Sequence, residues 1–242
     1  MSETLPRVME VGDAIRASQS RWTFGGDVPQ AFETHAAKSI PFYADGHALI
    51  ARVSDHFVGP HAVCYDLGAS TGRLLRSLAE RHPPTVRWVG LDCEGAMVRH
   101  AKAEPCPGRQ VDFVEADACT FAYEPADLII AYYTIQFVPP RHRQALIDLV
   151  YQNLNWGGAF LMFEKVRGPD ARFQDIATAL YTELKLENGF TGEEIVGKAR
   201  SLKGVLEPFS TEGNLGLLRR AGFVDIMSIF KYVCFEGFLA IR

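Results

Sequence analysis

The 242-residue sequence contains no apolar run of 18 residues, the length a membrane-crossing helix requires, so no membrane partner is expected. It has no run of Lys or Arg and a formal charge of -4. The electrostatic footprint of a phosphate-backbone partner is therefore missing, and no nucleic-acid ligand is expected. The five cysteines (Cys64, Cys93, Cys106, Cys119 and Cys234) show no C-x-x-C spacing. That argues against a disulfide framework and against a thiolate zinc site. The seven histidines form no H-x-H or H-E-x-x-H pair, and no metal site is expected. The opening M-S-E-T-L-P-R-V-M-E is mixed and polar, unlike a signal sequence. A cytoplasmic protein with reduced thiols is the expectation. Residues 1–21 lack periodicity and read as a flexible N-terminal arm.

What is present is an alternation of short apolar runs with helical periods. Strands are expected at 63–67, 87–92, 111–115, 126–131 and 159–163, with helices at 73–81, 96–103 and 141–154 between them. Two further helices are expected at 28–39 and 43–57. Runs such as Leu128-Ile129-Ile130-Ala131 fit strands buried on both faces of a parallel sheet. Residues 170–220 hold helical segments only and read as a lid inserted into the domain. Two closing strands, 224–230 and 233–241, are separated by little more than a turn, so they form an antiparallel hairpin. The fold class is α/β: a Rossmann-like, doubly wound, seven-stranded sheet with that hairpin and a helical lid. Residues 22–242 make one domain.

The turn D-L-G-A-S-T-G at 66–72 follows the first of these strands. In open α/β sheets ligands bind at the carboxyl ends of strands where the strand order reverses. Gly68 and Gly72 let backbone approach a ligand that a Cβ would exclude. The spacing is neither G-x-G-x-x-G nor G-K-[ST], so it matches neither a dinucleotide nor a triphosphate cradle. Asp92 ends the second strand, where an acid accepts ribose hydroxyls, and Asp117 follows the third. Three acids after successive parallel strands line one cleft.

Asp66, Gly68, Gly72, Asp92, Asp117 and N-W-G-G at 155–158 resemble class I S-adenosylmethionine-dependent methyltransferases. W-T-F at 22–24, K-S-I-P-F-Y at 38–43, T-I-Q-F at 134–137, R-Q-A-L-I-D at 143–148 and F-E-K at 163–165 resemble one branch, the carboxy-S-adenosylmethionine synthases of tRNA wobble-uridine modification. The resemblance implies S-adenosylmethionine as cofactor. It implies contacts from Tyr43, Asp66, Gly68, Ala69, Ser70, Gly72, Asp92, Cys93, Asp117, Ala118 and Tyr132. It also implies a homodimer paired through the lid.

In that branch an Asn after the fourth strand and an Arg in the lid hold the extra carboxylate of the product. Here those positions read Tyr132 and Ala199. Arg200 is one residue along, which turns a helical side chain by about 100°. Aromatic residues replace the lost groups. Tyr132, Tyr133 and Tyr181 are the expected catalytic residues, their rings stabilising a sulfonium by cation–π contact worth about 0.5–2 kcal/mol each. The leading expectation is methyl transfer to a small molecule, in secondary metabolism. The alternative is cyclisation of S-adenosylmethionine to azetidine-2-carboxylate with release of methylthioadenosine. Carboxy-S-adenosylmethionine synthesis and a non-enzymatic cofactor-binding role rank below these. Residues alone dictate no general base; Glu164 and His142 are candidates only by location.

Overall fold

The computed structural model describes residues 8–13, 15–26 and 28–242. The main sheet has strands β3 (Val63–Leu67), β4 (Arg87–Asp92), β5 (Gln110–Glu115), β6 (Ala126–Tyr132), β7 (Leu154–Lys165), β8 (Asp225–Tyr232) and β9 (Phe235–Ile241). Their spatial order is β5-β4-β3-β6-β7-β9-β8. β3 to β7 pair in parallel, whereas β9 runs antiparallel to both β7 and β8. The expected seven-stranded sheet with a closing hairpin is therefore present. The order reverses between β3 and β6, which puts the ligand crevice at the carboxyl ends of β3, β4 and β6.

Side chains alternate across the sheet, as strand geometry requires. Cys64, Leu128 and Leu161 join α2 (Tyr43–Ser54), α3 (Arg73–Arg81) and α4 (Gly95–Ala103) in one apolar layer. Tyr65, Ile129 and Phe160 face the other way, onto Leu146, Ile147 and Val150 of α5 (Pro140–Asn153). Burial on both faces is why these strands read as unbroken apolar runs.

Beyond β7 come α6 (Ala171–Glu187), α7 (Gly192–Ser201) and α8 (Thr211–Ala221). The lid expected over 170–220 is shorter than that. α8 puts Leu217 and Leu218 into the layer beneath the sheet, beside α5, and Arg220 Nε donates to Gln144 Oε1 at 2.7 Å. It is a sheet-covering helix, and only the stretch before it reaches over the crevice.

The expected loose arm also differs from the structure. Residues 1–7 lie outside the described residues, but β1 (Val8–Glu10) and β2 (Arg16–Ser18) pair as an antiparallel hairpin. Val11 is fully buried, with Ile15, Ala17 and Trp22 around it. Ser20 N donates to Arg200 O at 3.0 Å and Trp22 N to Ser201 O at 3.2 Å, so the segment is tied to the end of α7. Its apolar residues are too few and too close to polar ones to show a period, yet they bury against α1 (Val28–Ser39) and the lid.

Candidate active site

A cavity of about 910 Å³ opens at the carboxyl edge of β3, β4 and β6, bounded by α1 and by lid helices α6 and α7. That is at the upper end for a small-molecule site. Of the expected cofactor contacts, Tyr43, Asp66, Gly68, Ala69, Ser70, Asp92, Cys93, Asp117, Ala118 and Tyr132 all line it. Gly72 is not among the lining residues. Its φ of +78° starts α3, and a Cβ there would strike Phe113 and Arg76 rather than a ligand. Glycine is required at that position by the turn and its packing.

The β3–α3 turn is built by backbone bonds. Gly68 N and Ala69 N both donate to Leu91 O, at 2.7 and 2.9 Å. Ser70, at φ +46°, donates its N–H to Asp92 Oδ2 at 2.9 Å, and Glu94 N donates to Asp92 Oδ1 at 2.9 Å. Each carboxylate oxygen keeps a second lone pair, enough to accept two ribose hydroxyls. Burial raises the pKa of Asp92. Asp66 is almost wholly buried. Loss of solvation, then the nearby Asp92, pushes its carboxyl up to about 7. A ligand ammonium would restore its charge. Asp117 Oδ1 accepts from Cys119 N at 2.8 Å, which fixes the carboxylate at the cavity rim.

The expected tyrosines form an aromatic box. Tyr132 lies 5.3 Å from Tyr43, 4.8 Å from His47, 4.6 Å from Tyr133 and 5.2 Å from Phe163 between ring centroids. Its phenol donates to Tyr43 O at 2.7 Å, and that of Tyr181 to Ser39 O at 2.9 Å. Burial raises both phenols far above the ordinary tyrosine range. They offer ring faces, not bases. Tyr133 holds a left-handed backbone, φ 61°, and donates its N–H to Phe163 O at 2.8 Å. For a bulky side chain that conformation costs of the order of 1–3 kcal/mol. His47 is driven down to about 4 by burial and then by Arg73, so it is uncharged at neutral pH. Glu164 accepts from Ile135 N at 2.9 Å and does not line the cavity, so it braces the turn after β6. His142 reaches the cavity wall.

Three lysines that sequence spacing did not single out complete the wall: Lys165 of β7, Lys185 of α6 and Lys198 of α7. Lys165 Nζ and Lys185 Nζ lie 4.1 and 4.4 Å from the centroid of the Tyr181 ring. Burial lowers the pKa of all three, Lys185 to about 8 and Lys198 to about 7. Among the described residues none has a carboxylate partner within 4.0 Å. Ala199 lines the cavity as well, and Arg200 does not. The missing lid Arg therefore leaves a cavity that still holds three lysines.

A glycine turn, a ribose-type acid, a buried acid for an amine and uncharged aromatic faces fit S-adenosylmethionine. A methyltransferase-domain family model matches residues 64–158. The carboxy-S-adenosyl-L-methionine synthase of Staphylococcus epidermidis is 33% identical over 223 residues, covering 92% of this chain and 97% of that protein. That of Campylobacter lari is 35% identical, covering 93% and 96%. Human N-acetylserotonin methyltransferase, solved with S-adenosylmethionine, superposes with a TM-score of 0.59 at 20% identity, over 88% of this chain and 54% of that one. The CurJ carbon methyltransferase gives 0.64 at 14% identity, over 88% and 59%. Those two likenesses concern the fold. Taken with the site, the full-length relatives make this chain a member of the carboxy-S-adenosyl-L-methionine synthase family, an S-adenosylmethionine-dependent transferase of the class I methyltransferase fold.

Proposed function

We propose that this enzyme moves the methyl group of S-adenosylmethionine to a small anionic acceptor. The observation that carries this reading is the lysine end of the cavity. Lys165, Lys185 and Lys198 face the same space as Asp66 and the tyrosine box, and among the described residues no carboxylate lies within 4.0 Å of them. Lys165 and Lys185 are then buried cations without a counter-ion, which is costly, and an anionic ligand relieves that cost. Positioning such an acceptor beside the sulfonium supplies much of the rate of a one-step displacement. The aromatic faces of Tyr43, Tyr132 and Tyr133 stabilise the cation before transfer.

The tyrosine box favours a second reading, cyclisation. A closed aromatic pocket can fold the methionyl chain so that its amine attacks the γ-carbon. The S–Cγ bond breaks with its electron pair on sulfur and the amine loses a proton. Azetidine-2-carboxylate and methylthioadenosine result. The relatives' name supplies a third outcome, a carboxylated cofactor.

One experiment separates the three. The pure protein is incubated with S-adenosylmethionine, alone and with a panel of small carboxylates that includes prephenate, and every product is weighed by mass spectrometry. S-adenosylhomocysteine with a methylated acceptor supports the proposal. Methylthioadenosine from the cofactor alone supports cyclisation. A cofactor gaining a carboxylate only with prephenate assigns this chain the reaction its relatives are named for.

A further inference from the structure

One wall of the cavity carries a hydrogen-bonded row. Asp13, in the turn between β1 and β2, sits 2.9 Å from His35 Nδ1 of α1. A carboxylate only accepts, so this contact places the imidazole proton on Nδ1 and leaves Nε2 as an acceptor. Lys198 Nζ of α7 bonds to that Nε2, and to Ser39 Oγ at 2.8 Å. His35 is 4% exposed and is held by the Trp22 ring, 5.8 Å away and nearly parallel, and by the edge-on Phe190. Lys38 also reaches Asp13, by its other oxygen.

Lys198 thus uses two N–H groups on the protein. The remaining tetrahedral position of its nitrogen carries either a third proton or a lone pair. Lys198, His35 and Ser39 all line the cavity. We propose that Asp13 and His35 position Lys198 so that its uncharged amine is the proton acceptor of this site. The inference rests on the methyl-transfer reading. A lone pair of the acceptor forms the new bond to the methyl carbon, the carbon–sulfur bond breaks with its pair on sulfur, and the acceptor's proton passes to the Lys198 nitrogen, which becomes an ammonium.

The surroundings agree with an uncharged amine. Lys198 meets His35 and Ser39 of α1, and the charges acting on it are those of Lys185 from α6, Lys165 from β7 and Asp13 from the hairpin turn, which also holds Lys38 of α1. Burial first, then the charges of Lys185 and Lys165, bring its pKa down to about 7, with Asp13 opposing. His35 is lowered to about 4 by burial and then by Lys198, so it stays neutral and can accept. An anion held by Lys165 and Lys185 would offset their charge and favour the ammonium that Lys198 becomes as it takes the proton.

The test is a pH titration of lysine Nζ signals by nuclear magnetic resonance on the full chain, with S-adenosylhomocysteine binding followed by calorimetry on the same sample. One lysine signal, absent in Lys198→Arg, is expected to titrate near neutrality rather than at about 10.4. Lys185→Met raises that titration and Asp13→Asn lowers it, whereas a merely structural Asp13 leaves it unmoved. Should Lys198→Arg not fold, acetylation rates of the wild-type chain, mapped by peptide mass across pH, identify the same amine. An ordinary Lys198 titration with normal S-adenosylhomocysteine binding overturns the relay and leaves the cofactor reading intact. A low titration without S-adenosylhomocysteine binding leaves the relay and removes the methyl-transfer reading.

Discussion

Tyr132 lies directly over Gly46: a Cβ added at Gly46 would sit 2.9 Å from Cζ and 3.0 Å from Cε2 of the Tyr132 ring, and closer still to its oxygen. In an exposed helix a Gly→Ala change stabilises by about 1 kcal/mol. Here Gly46→Ala is expected to destabilise instead, by about 1–3 kcal/mol, because it overpacks the box. It also displaces Tyr132 from the cavity and weakens S-adenosylhomocysteine binding. Urea unfolding and calorimetry on the same variant check both; a more stable variant with unchanged affinity contradicts the assigned packing.

Asp66 couples cofactor binding to pH. Burial, then the nearby Asp92, pushes its carboxyl up to about 7 in the folded chain, so it carries a proton at mildly acid pH. A bound ammonium favours the carboxylate, so S-adenosylhomocysteine binding between pH 5 and 7 should release up to about one proton. Calorimetry in buffers of different ionisation enthalpy reads that number directly. The same shift has a stability sign. A raised acid contributes stability that is complete below the unfolded value and is lost as pH rises through the folded one. Asp66→Asn should therefore gain stability over wild type as pH rises towards 8, while losing ligand affinity.

Lys165→Met and Lys185→Met test the anionic acceptor. A charge-assisted contact is worth about 1.5–3 kcal/mol, so each change should weaken binding of a small dicarboxylate such as prephenate about 10- to 150-fold in the presence of S-adenosylhomocysteine. Affinity for S-adenosylhomocysteine itself stays within a few-fold. Equal loss of both ligands would place the lysines under the fold rather than under the co-substrate.

Phe173, Ile176 and Leu180 are exposed on α6 at 54, 52 and 46%. Their i, i+3, i+7 spacing puts them on one stripe. We propose this stripe as the pairing surface of the homodimer that the sequence resemblance implies. Light scattering should give a dimer for the wild type and a monomer for Ile176→Glu with Leu180→Glu, at unchanged thermal stability. A monomeric wild type removes the dimer.

The strands and the acids were legible because each is written locally. Burial on two faces leaves runs such as Phe160-Leu161-Met162-Phe163, and a parallel strand that ends at a ligand cleft ends in a small, acid-bearing turn. The lysine cluster was not legible because Lys165, Lys185 and Lys198 come from one strand and two helices, and only tertiary packing makes them neighbours. The hairpin was hidden by its brevity, with three residues in each strand. α8 was misplaced because an amphipathic period shows that a helix has an apolar face but not which partner takes it.

The wall that joins Asp13 and His35 to Lys198 has a consequence for how the enzyme comes into being. His35 and Lys198 are 163 positions apart, so during translation the acids of the cavity emerge long before the amine of its far wall. A ribosome-bound chain halted after β6 has its glycine turn but not its lid, and an N-terminal fusion that disturbs the first hairpin reaches chemistry supplied almost two hundred codons later.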